Sequence, residues 1–301
     1  MKIIKPTEPE KSINQTPDEL NNYFNSNTNP MDRQPTVTTP PEANQNPIMK
    51  LHSVTAVDLF QAWKTIKNKT NTKEDCNGIS LAMLNLIISC PNVYDTIVNL
   101  INQSIKSFTF PNALKTSVIA PIPKIPSPSK PSDYRPISVQ TNLSKLYEKC
   151  VYNQIAIHMM QNNSICPEQF GFRHHHTTEH AMIALTDFLY QKLGEGKFAI
   201  VVSLDLQKAF DTVDPEILTT KIRLLGIDER WFESYLSGRQ QYVKIKNQIS
   251  QLKENKIGIP QGTILGPILF SIFINDMPRC LKHSNGYLFA DDSNVATAGE
   301  I

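Results

Sequence analysis

The 301-residue sequence lacks paired cysteines, long apolar runs and a strong net charge, and each absence argues against a class of protein. Its five cysteines are scattered, with no C-x-x-C pair and an odd total, which argues against a zinc knuckle and a disulfide framework. No stretch reaches the roughly 18 apolar residues of a membrane span, and the charged start lacks the apolar core of a signal peptide. The sequence therefore predicts an intracellular protein of the cytosol or nucleus, without a membrane partner.

The net charge of only +2 does not by itself suggest a polyanionic partner. Residues 101–160 nevertheless hold seven Lys or Arg side chains against two acids. Such a stretch can follow a phosphate backbone, although a solvated basic face is the more ordinary explanation of the same pattern.

The first 50 residues contain eight of the 21 prolines and eight asparagines, which predicts a linker that buries little apolar surface. Within it, Thr16, Pro17 and Glu19 form a capping-box pattern, so we expect a short helix through Leu20, Tyr23 and Phe24. The remaining chain divides into a helical extension at residues 51–104 and a larger domain at residues 105–301.

Two stripes of apolar residues at helical spacing predict packing helices in the extension. Their members are Val54, Val57, Phe60, Trp63 and Ile66 in the first stripe, and Val93, Ile97, Leu100 and Ile101 in the second. Between them, residues 75–80 (DCNGIS) predict a turn followed by an N-cap serine.

The larger domain mixes strand and helix patterns, which indicates the α+β class. Strands are predicted at residues 117–124, 198–204, 241–246 and 287–290. Helices are predicted at 142–160, from Thr177 or Thr178 to about 193, and at 214–225, 228–236 and 265–277. The continuous apolar run at residues 198–204 is typical of a central strand buried on both faces, and it delivers Asp205 at its end.

Asp291 and Asp292 stand between two short apolar runs, where a hairpin turn is expected. A hairpin beside the Asp205 strand would bring three carboxylates together, and like charges that close require counter-cations. Oxygen ligands of this kind suit Mg²⁺, and a pair of ions about 3.5–4 Å apart supports nucleotidyl transfer in polymerases. An Asp-Asp pair in a turn is, taken alone, more often ordinary turn chemistry.

Six motifs in order give the chain a specific resemblance. Residues 205–211 (DLQKAFD), 258–262 (GIPQG) and 289–292 (FADD) resemble the three palm motifs of reverse transcriptases. Residues 120–124 (APIPK), 133–138 (DYRPIS) and 169–173 (QFGFR) are similar to fingers motifs of LINE-type, non-LTR retrotransposons of the jockey or related clades. The resemblance implies a right-hand polymerase with an antiparallel palm sheet backed by helices, truncated after the Asp-Asp motif and without a thumb.

The resemblance also assigns roles to individual residues. It makes Asp205 and Asp291 the principal ligands of two Mg²⁺ ions, with Mn²⁺ as an alternative, and adds Asp292 and the carbonyl of Leu206 as supporting oxygens. It implies an RNA template, a DNA primer and deoxynucleoside triphosphates (dNTPs) as partners.

Five further positions correspond to substrate contacts in the family. Phe210 falls where an aromatic ring lies against the incoming sugar and leaves no room for a 2′-hydroxyl. Gln261 and Gly262 fall at the incoming nucleotide and template base, in a turn where glycine permits close backbone approach. Lys124 and Arg135 correspond to side chains that meet the triphosphate. Without the resemblance, Phe210 would be interpreted as a core residue and residues 260–262 (PQG) as an ordinary turn.

The run His174-His175-His176 does not have a metal-ligand spacing, because three consecutive side chains cannot face one ion. A polar loop before an N-cap at Thr177 is the preferred interpretation.

Two other functions compete with a reverse transcriptase. An RNA-templated RNA polymerase would use the same carboxylates, but Phe210 argues against it. A catalytically incomplete nucleic-acid-binding fragment or relic, or a maturase-like partner, would not need intact carboxylates, and all three are present.

Overall fold

The computed structural model describes residues 13–26, 48–67, 75 and 78–300. Most of the predicted linker, and Cys76 and Asn77 of the predicted turn, lie outside these residues. The division of the chain at residues 50 and 104 stays a prediction.

The described part of the chain contains nine α-helices. In chain order they are α1 (Pro17–Phe24), α2 (Ala56–Lys67), α3 (Leu81–Ser89), α4 (Pro91–Ser107), α5 (Asn142–Gln161), α6 (Thr178–Gly194), α7 (Pro215–Leu224), α8 (Arg230–Leu236) and α9 (Gly266–Ile274).

Eight β-strands in the same part form two sheets. They are β1 (Thr116–Pro123), β2 (Tyr134–Val139), β3 (Phe198–Asp205), β4 (Arg239–Ile245), β5 (Gln248–Ile249), β6 (Lys253–Asn255), β7 (Asn285–Phe289) and β8 (Asp292–Gly299). The first sheet has the order β2-β1-β4-β5, with β6 also paired to β4 and with β1 and β4 parallel. The second is antiparallel, in the order β3-β8-β7. The predicted α+β class is therefore confirmed.

Several predicted helix starts are confirmed by capping contacts. Thr16 and Glu19 form the reciprocal capping box of α1, Ser80 caps α3, and Thr177 caps α6. Each cap satisfies a backbone N–H that a helix start would otherwise leave without a partner. The histidines before Thr177 lie in the preceding loop, as expected, and His180 completes the Thr177 cap.

The buried faces of α2 and α4 differ from the predicted stripes. Val57 and Phe60 are 63% and 55% exposed, and α2 instead buries Leu59 and Ala62 beside Trp63. An i, i+3 spacing drifts around a helix of 3.6 residues per turn, so a stripe of strict threes leaves the buried face.

In α4, Ile97 and Ile101 are buried as predicted, but Val93 and Leu100 are partly exposed at 37% and 45%. The buried face continues instead through Ile105, which the predicted stripe omits. No single helix in the described residues is long and apolar enough to cross a bilayer; only α3 and α4 together, bent at 102°, pass that test of length and composition.

The prediction that residues 198–204 form a central strand buried on both faces is wrong. Strand β3 is at the edge of its sheet, and Ile200 and Val202 are about half exposed, at 51% and 49%. Helix α6 packs against β3 and β7, and its Phe188 ring contacts Tyr287. Apolar runs identify a strand but do not reveal whether a neighbour covers it.

One large apolar core joins α2 to α5 with α7 to α9, and reaches the antiparallel sheet through Leu288. Three rings, Phe110, Trp231 and Tyr235, pack at its centre with centroids 5.1–5.6 Å apart. A second, smaller cluster joins α1 to β1 and β4. The antiparallel sheet thus has its β7 strand attached to the core and its β3 strand at the surface.

Candidate active site

The register of the antiparallel sheet brings the predicted carboxylates to one end of it. Asp205, the last residue of β3, lies directly opposite Asp292, the first residue of β8. Phe289 also pairs with Asp292, so Ala290 and Asp291 form the two-residue turn between β7 and β8. Directly opposite residues of antiparallel strands have their side chains on the same face, where two like charges destabilise the sheet.

The three carboxylates have no hydrogen bond or ion pair with the described residues. Asp205 and Asp292 are exposed, and Asp291 is partly buried. Within the described residues, no three His, Cys, Asp or Glu side chains are gathered closely enough to hold an ion together. The three carboxylates therefore do not form a closed ligand cluster in this structure, although Asp205 and Asp292 lie opposite each other in the ladder.

The turn between β7 and β8 has an unfavourable backbone. Ala290 has φ of 58°, a left-handed conformation that costs a residue with a side chain about 1–2 kcal/mol. Gln169 supports it, because its Oε1 accepts hydrogen bonds from the N–H groups of Ala290 (3.2 Å) and Gly171 (2.7 Å). Strained backbone of this kind persists only where the surroundings fix it.

The segment around Gln169 is also attached to β7 through its backbone. Phe170 N–H donates to the carbonyl of Leu288 at 2.8 Å, and Leu288 N–H donates to Glu168 at 2.9 Å. A Cβ on Gly171 would lie 2.2 Å from the nitrogen of Ala290, so only glycine fits there. Gln169 is fully buried. The sequence places it in the motif at residues 169–173, but nothing in the sequence predicts its contact with the turn.

The loop after Asp205 carries Phe210, whose ring is packed between other aromatic side chains. Its ring stacks on Phe270 of α9, with centroids 4.6 Å apart and an interplanar angle of 21°. Phe172 meets it edge to face at 6.4 Å, and the Phe210 carbonyl accepts from Ile259 N–H at 2.8 Å. The ring is therefore fixed by packing from α9 and by the loop that follows β6.

Gln261 is held by two other parts of the chain. Its Nε2 donates to Asp211 Oδ1 at 2.9 Å, and its carbonyl accepts from Ser138 N–H of β2 at 2.8 Å. Gly262 has φ of 95°, and a Cβ there would lie 3.0 Å from the Ser138 carbonyl. Gln261 therefore joins the loop after Asp205 to the mixed sheet.

Asp211 is the most buried acid at this site. Burial raises its pKa, whereas the Gln261 amide and the ammonium groups of Lys208 and Lys124 act to lower it. The hydrogen bond from Gln261 to Asp211 thus favours the ionised carboxylate.

A cavity of about 770 Å³ joins most of the predicted site residues. The predicted residues that line it are Lys124, Arg135, Asp205, Leu206, Phe210, Gln261 and Asp291. Asp292 and Gly262 are not part of its lining and stand beside it, next to Asp205 and Gln261. Asp211 and Gln261 also line a smaller cavity, which none of the three predicted metal-ligand aspartates reaches.

The two predicted cations reach the cavity from β1 and β2. Arg135 pairs across the ladder with Ile122 and is exposed. Lys124 follows β1, and its Nζ donates to the Ser132 carbonyl at 3.0 Å. The cavity therefore joins Asp205 and Asp291 of the antiparallel sheet and its turn to Lys124 and Arg135 beside the mixed sheet.

A buried acid that sequence reasoning did not single out holds the start of α9. Glu148, fully buried on α5, accepts hydrogen bonds from the N–H groups of Ile264 (2.7 Å) and Leu265 (3.2 Å) and from the Tyr235 hydroxyl (3.1 Å). Burial raises the pKa of Glu148, whereas Arg239 and these donors favour its charged form. The acid thereby fixes the helix that follows Gln261.

Gln140 links this acid to its counter-charge. With the amide oriented so that its nitrogen donates to Glu148 at 2.6 Å, its oxygen accepts from Arg239 at 2.7 Å. Arg239 also donates to the Tyr235 carbonyl at 3.1 Å. Buried charges that are paired and hydrogen-bonded in this way are costly to break.

Comparison with known proteins is consistent with this geometry. The family model described as reverse transcriptase (RNA-dependent DNA polymerase) matches residues 122–300, more than half of the chain. The chain therefore belongs to the reverse transcriptase family. Members of this family use divalent metal ions, a nucleic-acid template and primer, and dNTPs.

Curated relatives define the branch of the family. The chain is 34% identical to a probable RNA-directed DNA polymerase from transposon BS of Drosophila melanogaster, over 63% of the chain and 21% of that relative. It is 32% identical to the RNA-directed DNA polymerase from mobile element jockey of the same species, over 56% of the chain and 19% of the relative.

It is also 27% identical to a Pol polyprotein from type-1 retrotransposable element R2 of Popillia japonica, over 58% of the chain and 24% of the relative. The chain spans about a fifth of the length of the curated relatives it matches. The resemblance to non-LTR retrotransposon reverse transcriptases is confirmed.

The contact between Gly171 and the turn predicts a cost for any side chain at that position. We expect Gly171→Ala to lower the free energy of unfolding by about 1–3 kcal/mol, because the added methyl overlaps the Ala290 nitrogen. Urea denaturation measures this change. Gly194→Ala is the matched control, since a Cβ at Gly194 meets nothing within 4 Å, and it should leave stability unchanged or slightly higher. Equal stability of the two variants would contradict the close contact.

The buried position of Glu148 predicts a larger effect. We expect Glu148→Ala to lower the free energy of unfolding by about 3–5 kcal/mol, because Arg239 is left without its counter-charge and two backbone N–H groups lose their acceptor. The control is Glu195→Ala, since Glu195 pairs at the surface with Lys192 and Lys197. Urea denaturation of both variants measures the two changes. Equal losses in the free energy of unfolding would contradict the structural role of Glu148.

Proposed function

We propose that this chain carries the nucleotidyl-transfer site of an RNA-directed DNA polymerase of a non-LTR retrotransposon. The reaction joins a deoxynucleotide to the 3′-hydroxyl of a DNA primer on an RNA template and releases pyrophosphate. The observation that supports it best is the register that brings Asp205 beside the Asp291 turn, at the same cavity as Phe210 and Gln261. The antiparallel sheet is taken as the palm, and the mixed sheet as part of the fingers.

The donor set suits a divalent ion. Asp205, Asp291 and Asp292 supply hard oxygens, carry no internal counter-charge, and face an accessible end of the sheet. Mg²⁺ prefers one or two carboxylates with water and substrate phosphates, and Mn²⁺ accepts the same ligands. Asp205 and Asp291 would hold the two ions, supported by Asp292 and the Leu206 carbonyl. The chemistry supplied by such ions is activation of the primer hydroxyl and neutralisation of the leaving pyrophosphate.

The protein's own groups orient the nucleotide. Lys124 and Arg135 attract the triphosphate, and the guanidinium offers two parallel donors to phosphate oxygens. Gln261, fixed by Asp211 and Ser138, presents the backbone of its turn to the base and sugar. Holding the reactants in this way removes much of the entropic barrier to the reaction.

Phe210 excludes ribonucleotides by shape. Its ring has no hydrogen bond to offer a 2′-hydroxyl, and the stacked contact with Phe270 prevents the ring from moving away. An unpaired, desolvated hydroxyl is penalised as well as crowded.

Primer extension tests the function directly. We expect the purified chain with Mg²⁺, dNTPs and an RNA template annealed to a DNA primer to extend the primer, and Asp291→Asn to reduce the rate by at least about a hundredfold, because electrostatic stabilisation at a reacting phosphate is lost. Asp187→Asn, an exposed acid on α6 away from the cavity, is the control. Template binding without extension by the parent chain would instead support the catalytically incomplete fragment.

The sugar specificity gives a separate prediction. We expect Phe210→Val to raise the ratio of ribonucleotide to deoxynucleotide incorporation by roughly 10-fold or more, in the range that one altered apolar contact provides. Single-nucleotide incorporation with matched dNTP and rNTP measures the ratio. Phe188→Val removes a comparable ring on α6, which does not line the cavity, and should leave the ratio unchanged. An unaltered ratio in Phe210→Val would contradict the proposal that the Phe210 ring lies against the sugar of the incoming nucleotide.

A further inference from the structure

Helix α1 lies outside residues 122–300, the part that matches the reverse transcriptase family, yet it is built into the mixed sheet. Leu20 is fully buried and packs with Ile119, Tyr134 and Val243. Burial of a leucine side chain contributes a large apolar contact, so α1 is held to the sheet by packing.

Polar contacts fix the same helix in one position. Asn21, fully buried, donates to Ser250 Oγ at 2.9 Å and to the Gln251 carbonyl at 2.8 Å, and accepts from Gln241 Nε2 at 3.0 Å. At the start of the helix, Asp18 accepts from Gln251 N–H at 2.9 Å. Buried amides with this many partners permit little alternative placement.

The C-terminal end of α1 reaches the polymerase cavity. Tyr23 and Phe24 line it together with Asp205, Gln261 and Asp291. Residues of the family motifs thus share one cavity with two rings from a helix that lies before the matched region.

Tyr23 contacts a cation that lines the same cavity. The Lys208 ammonium lies over the Tyr23 ring, 4.1 Å from its centroid. Lys208 follows Asp205 by three residues and has a left-handed backbone, with φ of 52°. The contact therefore joins α1 to the loop that connects Asp205 with Phe210.

An ammonium group that lies over an aromatic ring is held differently from one that is paired with a carboxylate. Lys221 is paired with Asp276 and also donates to the Phe273 carbonyl, so its charge and two of its three N–H donors are used. Lys208 has no ion pair within the described residues, although its charge lowers the pKa of the nearby Asp211 carboxyl. The cation–π contact orients the ammonium while leaving its positive charge and its donors available to an anion.

We propose that α1 is part of the nucleotide site, and that Tyr23 positions the Lys208 ammonium to bind the triphosphate of the incoming nucleotide together with Lys124 and Arg135. The inference rests on the proposed polymerase function. All three cations line the same cavity, and a triphosphate is the polyanion that three converging cations suit. Tyr23 acts through Lys208 and is a positioning residue.

Calorimetric titration with inorganic tripolyphosphate tests this without template, primer or catalysis. We expect Tyr23→Leu, which removes the ring face and keeps an apolar side chain, to raise the Kd about 3- to 30-fold, the range of a cation–π contact between exposed and desolvated sites. Tyr23→Phe keeps the ring face and should restore binding. Phe108→Leu removes the ring under Arg230, a cation–π pair 3.6 Å apart and outside the cavity, and should leave the Kd unchanged.

A double-mutant cycle separates positioning from a general loss of structure. In a Lys208→Met background, the added Tyr23→Leu change should have no further effect on the Kd, because the ammonium it positions is gone. A Kd unchanged in Tyr23→Leu, an equal further loss in the Lys208→Met background, or no tripolyphosphate binding by the parent would each overturn the proposal.

Primer extension distinguishes this inference from the proposed function. Tripolyphosphate binding that depends on Tyr23, in a chain that does not extend primers, would retain the anion site and reject the polymerase activity. Primer extension with a KM for dNTP that is unaffected by Tyr23→Leu would retain the activity and reject the role of α1.

Discussion

The two-residue turn between β7 and β8 is the constraint on which the rest of the site depends. A turn this short fixes the register of β8, and the register in turn decides that Asp205 stands opposite Asp292. A slip of one residue would send the carboxylates to the other face of the sheet. Ala290 accepts a left-handed backbone to make the turn, and the amide of Gln169 compensates for it. The same turn therefore carries the backbone strain and sets the positions of the carboxylates.

Charge is handled in opposite ways at two neighbouring places. Glu148 is buried, and each of its oxygens receives hydrogen bonds from named donors, so it contributes to the position of α9 and cannot reach a ligand. Asp205 and Asp291 have no such partners and border an accessible cavity. Like charges without internal compensation destabilise a sheet, and sites of function commonly carry costs of this kind. The difference in partners separates structural acids from candidate ligands better than burial alone.

Most of the fold's elements and the order of the site motifs could be predicted from the sequence, because capping residues, apolar periodicity and six ordered motifs are local signals. The exposure of Val202 and Phe60 could not, since it depends on which elements pack next to them. The same limit hid the contact of Gln169 with Ala290, which joins residues 121 positions apart. Strand β2 is not predicted from the sequence, because Pro136 near its middle interrupts the usual strand pattern. Whether the predicted site residues perform their assigned roles stays a prediction.

The position of α1 follows from how the mixed sheet is built. Strand β4 pairs in parallel with β1 and antiparallel with β5 and β6, so strands occupy its edges and α1 packs on a face that β4 shares with β1. Leu20 fills that face, and the length of α1 then determines that Tyr23 falls at the cavity edge, near the loop that begins at Asp205. Helix α1 packs on the mixed sheet, and its Tyr23 contacts Lys208 in the loop that follows Asp205 of the antiparallel sheet. The residues that line the cavity therefore extend beyond the matched family region.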